Sequence, residues 1–169
     1  MTTLKRLEFL VIVLLALAPV MAFADGRDEK LTNPKPDRTW AQRVGTLFAS
    51  GKSVAVVVSI SNYIGDRAGG YPPLRTAKAD AEKMVQFLLN DVGFDTIYII
   101  TEERATKARI DRLMTDEIPF LLGPNDRFLF YWSGHGDQMV AADKSRSFGF
   151  LPLANSKVKQ FSTMIDMGE

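Results

Sequence analysis

Three short apolar segments stand out along the chain, and each has the composition of a β-strand. Residues 54–60 (VAVVVSI) are a continuous, mostly β-branched run, which is typical of a strand buried on both faces. Residues 96–101 (TIYIIT) and 127–132 (RFLFYW) are also β-branched or aromatic, and they are too short to favour a helix. A further strand is predicted over residues 148–153. The pattern therefore predicts a main domain that opens at Ser53.

Between these strands, apolar residues recur at the spacing of amphipathic helices. The first helix would end at Gly93, and Thr106 would cap the second. Strands that alternate with helices predict an α/β fold of three layers, in which a mostly parallel sheet carries helices on both faces. Thr163 and Asp166 have the spacing of a capping box, which predicts the start of another helix. The inward positions of the two main helices are Ala77, Ala81, Met84, Val85, Leu88 and Leu89, and Ile110, Leu113, Met114 and Ile118.

The first 50 residues have a different character. Basic residues at positions 5 and 6 precede an apolar run over 9–20 and small residues up to Ala24, so residues 1–24 are predicted to be a cleaved signal peptide. The protein would then be exported to the periplasm or the extracellular space and would have no membrane contact after cleavage. An uncleaved membrane anchor is the alternative, although the run is shorter than the roughly 20 residues that span a bilayer. Residues 25–50 are predicted to be a linker without strands and a short helix from Trp40 to Phe48, followed by the main domain over 51–169.

Composition narrows the classes of function. The chain has 21 basic and 20 acidic residues, a formal net charge of +1 and no long run of either sign, so nothing indicates a nucleic-acid partner. It contains no cysteine and one histidine, His135. Disulfides, thiolate-bound metal and a thiol nucleophile are therefore excluded within these residues. No metal and no cofactor is predicted, and the oligomeric state is not indicated.

The segment Ser133-Gly134-His135-Gly136-Asp137 follows the third strand, so His135 is predicted at the carboxyl end of a central strand. Ligands of open parallel sheets bind beyond these strand ends. An imidazole there can act as general base and acid, and a glycine such as Gly136 leaves its backbone N–H accessible to a developing oxyanion. From spacing alone, a partly exposed loop histidine without a catalytic role is an open alternative.

Residues 130–137 (FYWSGHGD) resemble the strand and Ser-Gly-His-Gly turn that carries the catalytic histidine of caspases, metacaspases and their bacterial relatives. Further similar segments follow in the family's order and extend the likeness over residues 53–169. The resemblance implies a cysteine-type endopeptidase that acts on peptides or proteins. His135 would assist a cysteine thiolate, and Gly136 would donate its N–H to the oxyanion. The further segments are 55–63 (AVVVSISNY), 74–81, 92–95 (VGFD), 106–113 and 148–152 (FGFLP).

The cysteine of such enzymes lies about 50 residues beyond the histidine, whereas this sequence reaches only Glu169. We therefore expect a caspase-like domain that is incomplete at its C-terminal end and inactive without the missing cysteine. A non-catalytic caspase-fold domain that binds proteins is an alternative, and a flavodoxin-like small-molecule module is a weaker one. Leu74 stands where caspases specific for aspartate have an arginine, which favours cleavage after Arg or Lys.

Overall fold

The described residues form seven strands in two sheets. The structure is a computed structural model that describes residues 29–32, 51–64 and 70–168. The strands are β1 (Glu29–Thr32), β2 (Ser53–Ser59), β3 (Thr96–Thr101), β4 (Arg127–Ser133), β5 (Asp137–Val140), β6 (Ser147–Pro152) and β7 (Met164–Asp166). The first four form one sheet in the order β1-β3-β2-β4, and the last three form a second sheet in the order β5-β6-β7. The predicted signal peptide over 1–24 and the predicted helix from Trp40 to Phe48 lie outside the described residues.

Strand β2 is the buried centre of the main sheet. It pairs in parallel with β3 on one side and with β4 on the other, and all seven of its residues are buried. This burial explains its continuous β-branched composition, since both of its faces meet apolar side chains. The strand predictions for β2, β3 and β4 are confirmed.

Helices cover both faces of the main sheet. Helix α1 (Ala77–Gln86) continues directly into a π-helix (Phe87–Val92), whereas α2 (Lys107–Arg112), a π-helical turn (Leu113–Glu117) and α3 (Ile118–Leu121) follow β3. Alternate residues of β2 point into two separate cores, which confirms the predicted three-layer α/β fold. The core on the α1 side contains Ala55, Val57, Ala81, Val85, Leu88, Phe94, Ile97 and Ile99. The core on the α2 side contains Val54, Val56, Val58, Ile60, Ile100, Ile110, Leu113, Ile118, Leu153 and Ala154.

Two predicted helix boundaries are confirmed. Gly93 ends the first helical segment in the left-handed conformation, with a φ of 71°, which glycine adopts without steric cost. Thr106 caps α2 because its Oγ1 accepts a hydrogen bond from the Arg109 N–H at 3.3 Å. A short 3₁₀ turn (Glu102–Arg104) precedes this cap.

The prediction that residues 25–37 contain no strand is wrong for residues 29–32. Strand β1 pairs antiparallel with β3, from Glu29 opposite Ile99 to Thr32 opposite Thr96. Backbone hydrogen bonds of an existing strand hold such a segment, and Leu31 packs against the core. Four residues of which only Leu31 is apolar give no detectable hydrophobic period.

The prediction of a helix starting at Thr163 is also wrong. A 3₁₀ turn (Phe161–Thr163) is followed by β7, which pairs antiparallel with β6. Met164 is 1% exposed, and this burial favours an extended strand whose alternate side chains face inward. The predicted strand at 148–153 does form, as β6, but in this second sheet rather than in the main one.

The turn before β4 is fixed by Asp126. Its carboxylate accepts hydrogen bonds from the backbone N–H groups of Gly123 at 2.8 Å and Lys52 at 2.6 Å. These two bonds, that of Gly123 first, lower the pKa of Asp126 below its ordinary value of 3.8. One carboxylate thus connects the starts of β2 and β4.

Candidate functional site at the carboxyl edge of the sheet

The parallel pairing of β2 with β4 brings two loops together. The two strands are in register from Ser53 opposite Arg127 to Ser59 opposite Ser133, so they end side by side. The register continues one residue further, where the Ile60 N–H donates to the Ser133 carbonyl oxygen at 3.0 Å. The segment after β2 therefore emerges next to the segment between β4 and β5, which contains His135.

The imidazole of His135 is oriented by a backbone carbonyl group. Its Nε2 lies 2.7 Å from the carbonyl oxygen of Pro72. A carbonyl oxygen can only accept a hydrogen bond, so Nε2 carries the proton in the neutral ring. Nδ1 then holds the free lone pair. A histidine oriented in this way can accept a proton at a defined atom, as a general base must.

The imidazole belongs to a cluster of three rings, formed by Tyr63, Tyr71 and His135. The ring centroids of Tyr63 and Tyr71 lie 5.1 and 5.4 Å from that of the imidazole, and 5.3 Å from each other. All three planes are tilted against one another, which is the arrangement that aromatic quadrupoles favour. The two tyrosines therefore restrict the orientations that the imidazole can adopt.

The backbone of His135 is held as firmly as its ring. Its N–H donates to Tyr63 Oη at 2.8 Å, and its carbonyl oxygen accepts from Trp132 Nε1 at 3.2 Å. Burial is the main cause that raises the pKa of Tyr63 above its ordinary range. The Tyr63 hydroxyl is therefore uncharged at any working pH and is a constant acceptor for the His135 N–H.

Gly134 is required by the close approach of these side chains. A Cβ at this position would lie 2.7 Å from Tyr63 Oη and 3.0 Å from two carbon atoms of the Trp132 ring. Contacts this short force their partners to move. The first glycine of the Ser-Gly-His-Gly turn thus leaves space for Tyr63, whereas Gly136 lies on the other side of the histidine, before β5.

A carboxylate from the next strand holds the loop after β2. Glu102 follows β3 directly, and its side chain accepts hydrogen bonds from the backbone N–H groups of Ser61, at 3.2 Å, and Asn62, at 3.0 Å. Glu102 has a φ of 50°, in the left-handed region that costs a non-glycine residue about 1–2 kcal/mol. Its two bonds to the loop offset this strain and fix the segment that leads to Tyr63.

Asp80 lies at the carboxyl edge of the main sheet, on the face that α1 covers. It is a half-buried residue of the first turn of α1. Burial first, and the negative charge of Asp80 second, raise the pKa of Tyr131, whereas a hydrogen bond with the Ser133 side chain lowers it. The Ser133 hydroxyl is thus engaged with Tyr131, as expected for a structural residue. The carboxyl end of β4 consequently faces a carboxylate on the α1 side.

The structure places the predicted site at the predicted edge, with one correction. Among the strands that the structure describes, β4 is the outermost of the main sheet, so within these residues His135 follows an edge strand and not a central one. The aromatic composition of β4 is typical of a central strand, but its residues are half-buried or exposed. The catalytic roles of His135 and Gly136 remain predictions.

Four contributors to the site were not predicted. Pro72 acts through its carbonyl oxygen, which every residue has, so no sequence signal marks it. Tyr63, Tyr71 and Glu102 act through side chains that reach His135 or its neighbours from other loops. Only Tyr63 had a sequence signal, since it ends the segment that resembles the family's first strand.

The described residues give no sign of a metal centre or a membrane span. Within residues 29–32, 51–64 and 70–168, no three His, Cys, Asp or Glu side chains converge in a way that could hold an ion. In the same part of the chain, no helix combines the length and apolar character needed to cross a bilayer.

Comparisons with known proteins agree with this geometry. A family model described as the caspase domain matches residues 52–161, well over half of the 169 residues. The crystal structure of a structural-genomics protein from Geobacter sulfurreducens is similar over 69% of the chain, with 22% sequence identity and a TM-score of 0.53. The aligned part is 42% of that protein, so the chain spans less than half of its length. This likeness supports the fold. No curated protein matches the chain significantly.

Proposed function

The chain belongs to the caspase-domain family, and from this premise we propose that it supplies the histidine part of a cysteine-type endopeptidase active site. His135 is the acid–base residue and Gly136 is an oxyanion donor. Peptides or proteins are the substrates. The observation that carries the proposal is the 2.7 Å contact between His135 Nε2 and the Pro72 carbonyl oxygen, because it leaves Nδ1 as the proton acceptor.

The proposed reaction begins with proton transfer from a cysteine thiol to Nδ1 of neutral His135. The thiolate attacks the carbonyl carbon of the scissile peptide bond, and the carbonyl oxygen takes up the negative charge near the Gly136 N–H. The imidazolium returns the proton to the leaving amine as the C–N bond breaks. Water then hydrolyses the thioester, with His135 again accepting a proton.

The thiol must come from outside these 169 residues, since they contain no cysteine. The outer edge of β4 suggests where the thiol could be placed. Among the described strands, β4 pairs only with β2, so its outer backbone groups are open to another strand. A strand added there in parallel would end at the same edge as β2 and β4. A cysteine at its end would lie next to His135.

A preference for Arg or Lys before the scissile bond is part of the proposal. Asp80 places a carboxylate near the carboxyl end of β4, where it acts on Tyr131. A carboxylate of this kind pairs with a cationic side chain of the substrate. The variant D80N should lower kcat/KM for Arg-ending peptides at least about tenfold, or about 1.4 kcal/mol. Glu82→Gln on the same helix is the control, and equal effects of both variants would contradict the assignment.

The main proposal is tested in a polypeptide extended by the downstream coding region. Fluorogenic peptides that end in Arg, Lys or Asp are the substrates, and circular dichroism monitors folding. His135→Ala should abolish cleavage, whereas Ser162→Ala at an exposed position should not. Iodoacetamide, which alkylates thiols, should also abolish it. Undiminished cleavage by the His135→Ala variant would remove this residue from the mechanism.

A second candidate is a caspase-fold domain that binds peptides without cleaving them. The absence of cysteine from the 169 residues favours it, because these residues alone cannot form the thioester. In this case Arg-containing peptides should bind to the chain and remain intact, and D80N should weaken their binding. A cysteine-bearing strand encoded downstream, together with thiol-dependent cleavage, would decide against this candidate.

We also propose that the protein is exported. The support is the N-terminal pattern of basic, apolar and small residues over positions 1–24. N-terminal sequencing of the mature protein should begin at Asp25. Recovery of intact Met1 in the membrane fraction would instead indicate an uncleaved anchor.

A further inference from the structure

Tyr71, which precedes Pro72, forms a hydrogen bond to a residue that follows His135 in the sequence. The Tyr71 hydroxyl donates to Oδ2 of Asp137, which is the first residue of β5 and lies two residues after His135. The other carboxylate oxygen of Asp137 accepts the Gln138 N–H at 2.7 Å. The Tyr71–Asp137 bond thus connects the segment that carries the orienting carbonyl group with the segment that carries the histidine.

Two consecutive residues of the segment around Pro72 cannot donate a backbone hydrogen bond. Pro72 and Pro73 are consecutive, and proline has no N–H to donate. The next backbone donor, the Leu74 N–H, bonds to the Ser61 carbonyl oxygen at 2.9 Å. On the other side of Pro72, the Tyr71 side chain provides an anchor. A hydroxyl bound to a carboxylate is among the stronger protein hydrogen bonds.

We propose that Tyr71 and Asp137 are positioning residues that hold the Pro72 carbonyl oxygen against His135 Nε2. In doing so they select the tautomer whose lone pair is on Nδ1. Among the described residues, the polar and charged groups that face the imidazole or its loops include Tyr63, Tyr71, Trp132, Asp137 and, through the loop after β2, Glu102. The importance of the Tyr71–Asp137 bond for peptide cleavage rests on the proposed function. The effect of this bond on the orientation of the imidazole is independent of that function.

The Tyr71 ring and the Tyr71 hydroxyl can be separated by mutation. The ring packs against His135 with a centroid distance of 5.4 Å, and it also lies next to the buried Met164, whose Sδ is 3.8 Å from Tyr71 Oη. Tyr71→Phe keeps this packing and removes the hydroxyl that bonds to Asp137 and, more weakly, to Met164 Sδ. Asp137→Asn keeps the shape of the other partner and removes its charge. Tyr98→Phe, in the middle of β3, is the matched control for loss of a tyrosine hydroxyl.

The test follows the Nε2–H proton of His135 by NMR in the 169-residue chain labelled with ¹⁵N-histidine. His135 is the only histidine, so the signal needs no assignment. The parent chain should show an Nε2–H signal that exchanges slowly with water. Tyr71→Phe and Asp137→Asn should each accelerate exchange about tenfold, which corresponds to the loss of one charge-assisted bond. The double variant should be no faster than either single variant.

Unchanged exchange in a folded Tyr71→Phe chain would overturn the proposal, and so would equal acceleration by Tyr98→Phe. If Tyr71→Phe does not fold, Asp137→Asn decides in the same way. The chain contains no thiol, so this result does not depend on whether the protein is a peptidase. In the extended, active polypeptide, Tyr71→Phe should lower kcat and leave KM unchanged, since the imidazole rather than the substrate loses its orientation.

Discussion

The close approach of Gly134 to Tyr63 leads to a prediction about energetic coupling. In Gly134→Ala, the new methyl group would lie 2.7 Å from Tyr63 Oη and 3.0 Å from Trp132 carbons. Overpacking of this kind costs about 1–3 kcal/mol. The smaller entropy of the unfolded alanine chain offsets about 0.4–1 kcal/mol of this cost. The expected net loss of stability is about 0.5–2 kcal/mol.

Tyr63→Phe removes the oxygen atom that causes the shorter of these contacts. Alone, it should cost about 1–3 kcal/mol, because the His135 N–H loses its acceptor. In the double variant, the methyl group occupies space that the oxygen has left, and only the contact with Trp132 remains. The double variant should therefore be about 1 kcal/mol more stable than the sum of the two single effects predicts.

Urea unfolding of the four chains measures this coupling, provided that the m-value stays constant. Tyr98→Phe replaces Tyr63→Phe in a control cycle, where the effects should add. If the Gly134 and Tyr63 effects also add to within about 0.5 kcal/mol, the steric role of Gly134 against Tyr63 is refuted.

Three further predictions concern stability. Ser59 and Ser156 are each 1% exposed, but among the described residues Ser59 Oγ has no partner, whereas Ser156 Oγ bonds to two backbone groups at 2.7 Å. Ser59→Ala should thus be neutral or stabilising and Ser156→Ala should cost about 1–3 kcal/mol in urea unfolding; equal costs would contradict this. Because the pKa of Asp126 is lowered in the folded state, its stabilising contribution is present above pH 3.8 and is lost as the pH falls below that value. The difference in melting temperature between the parent and Asp126→Asn should therefore shrink in acid, and a constant difference would refute the linkage. Thr106→Ala should cost about 1 kcal/mol through loss of the α2 cap, measured by thermal unfolding, and no change would mean that the cap is not needed.

The three parallel strands of the main sheet were predictable from sequence, most clearly β2, whose composition follows from its burial. Burial on both faces requires the run of apolar residues in β2, and no other element explains five such residues in a row. β1 was not predictable, since its place depends on the free edge of β3 rather than on its own composition. The same is true of β7, where the capping-box spacing of Thr163 and Asp166 was outweighed by burial of Met164.

At the site, sequence located the histidine but not its environment. The strand that leads to His135 and the glycines around it leave a clear local pattern. The Pro72 carbonyl oxygen leaves none, because a backbone acceptor is independent of residue type. The bond between Tyr71 and Asp137 joins residues far apart in sequence, so it becomes visible only when β5 and the loop before α1 are placed in space.

Among the described strands, β4 pairs only with β2, and its unpaired edge has a consequence for the handling of this protein. Its seven residues, RFLFYWS, contain four aromatic side chains and a single charge, at Arg127, whereas edge strands of soluble proteins are usually interrupted by proline or several charges. We therefore expect that two copies can pair through β4. Such a dimer would occupy the place of the proposed cysteine strand, so newly made chains face a competition between intermolecular pairing and completion of their own sheet, and dilution should favour the latter.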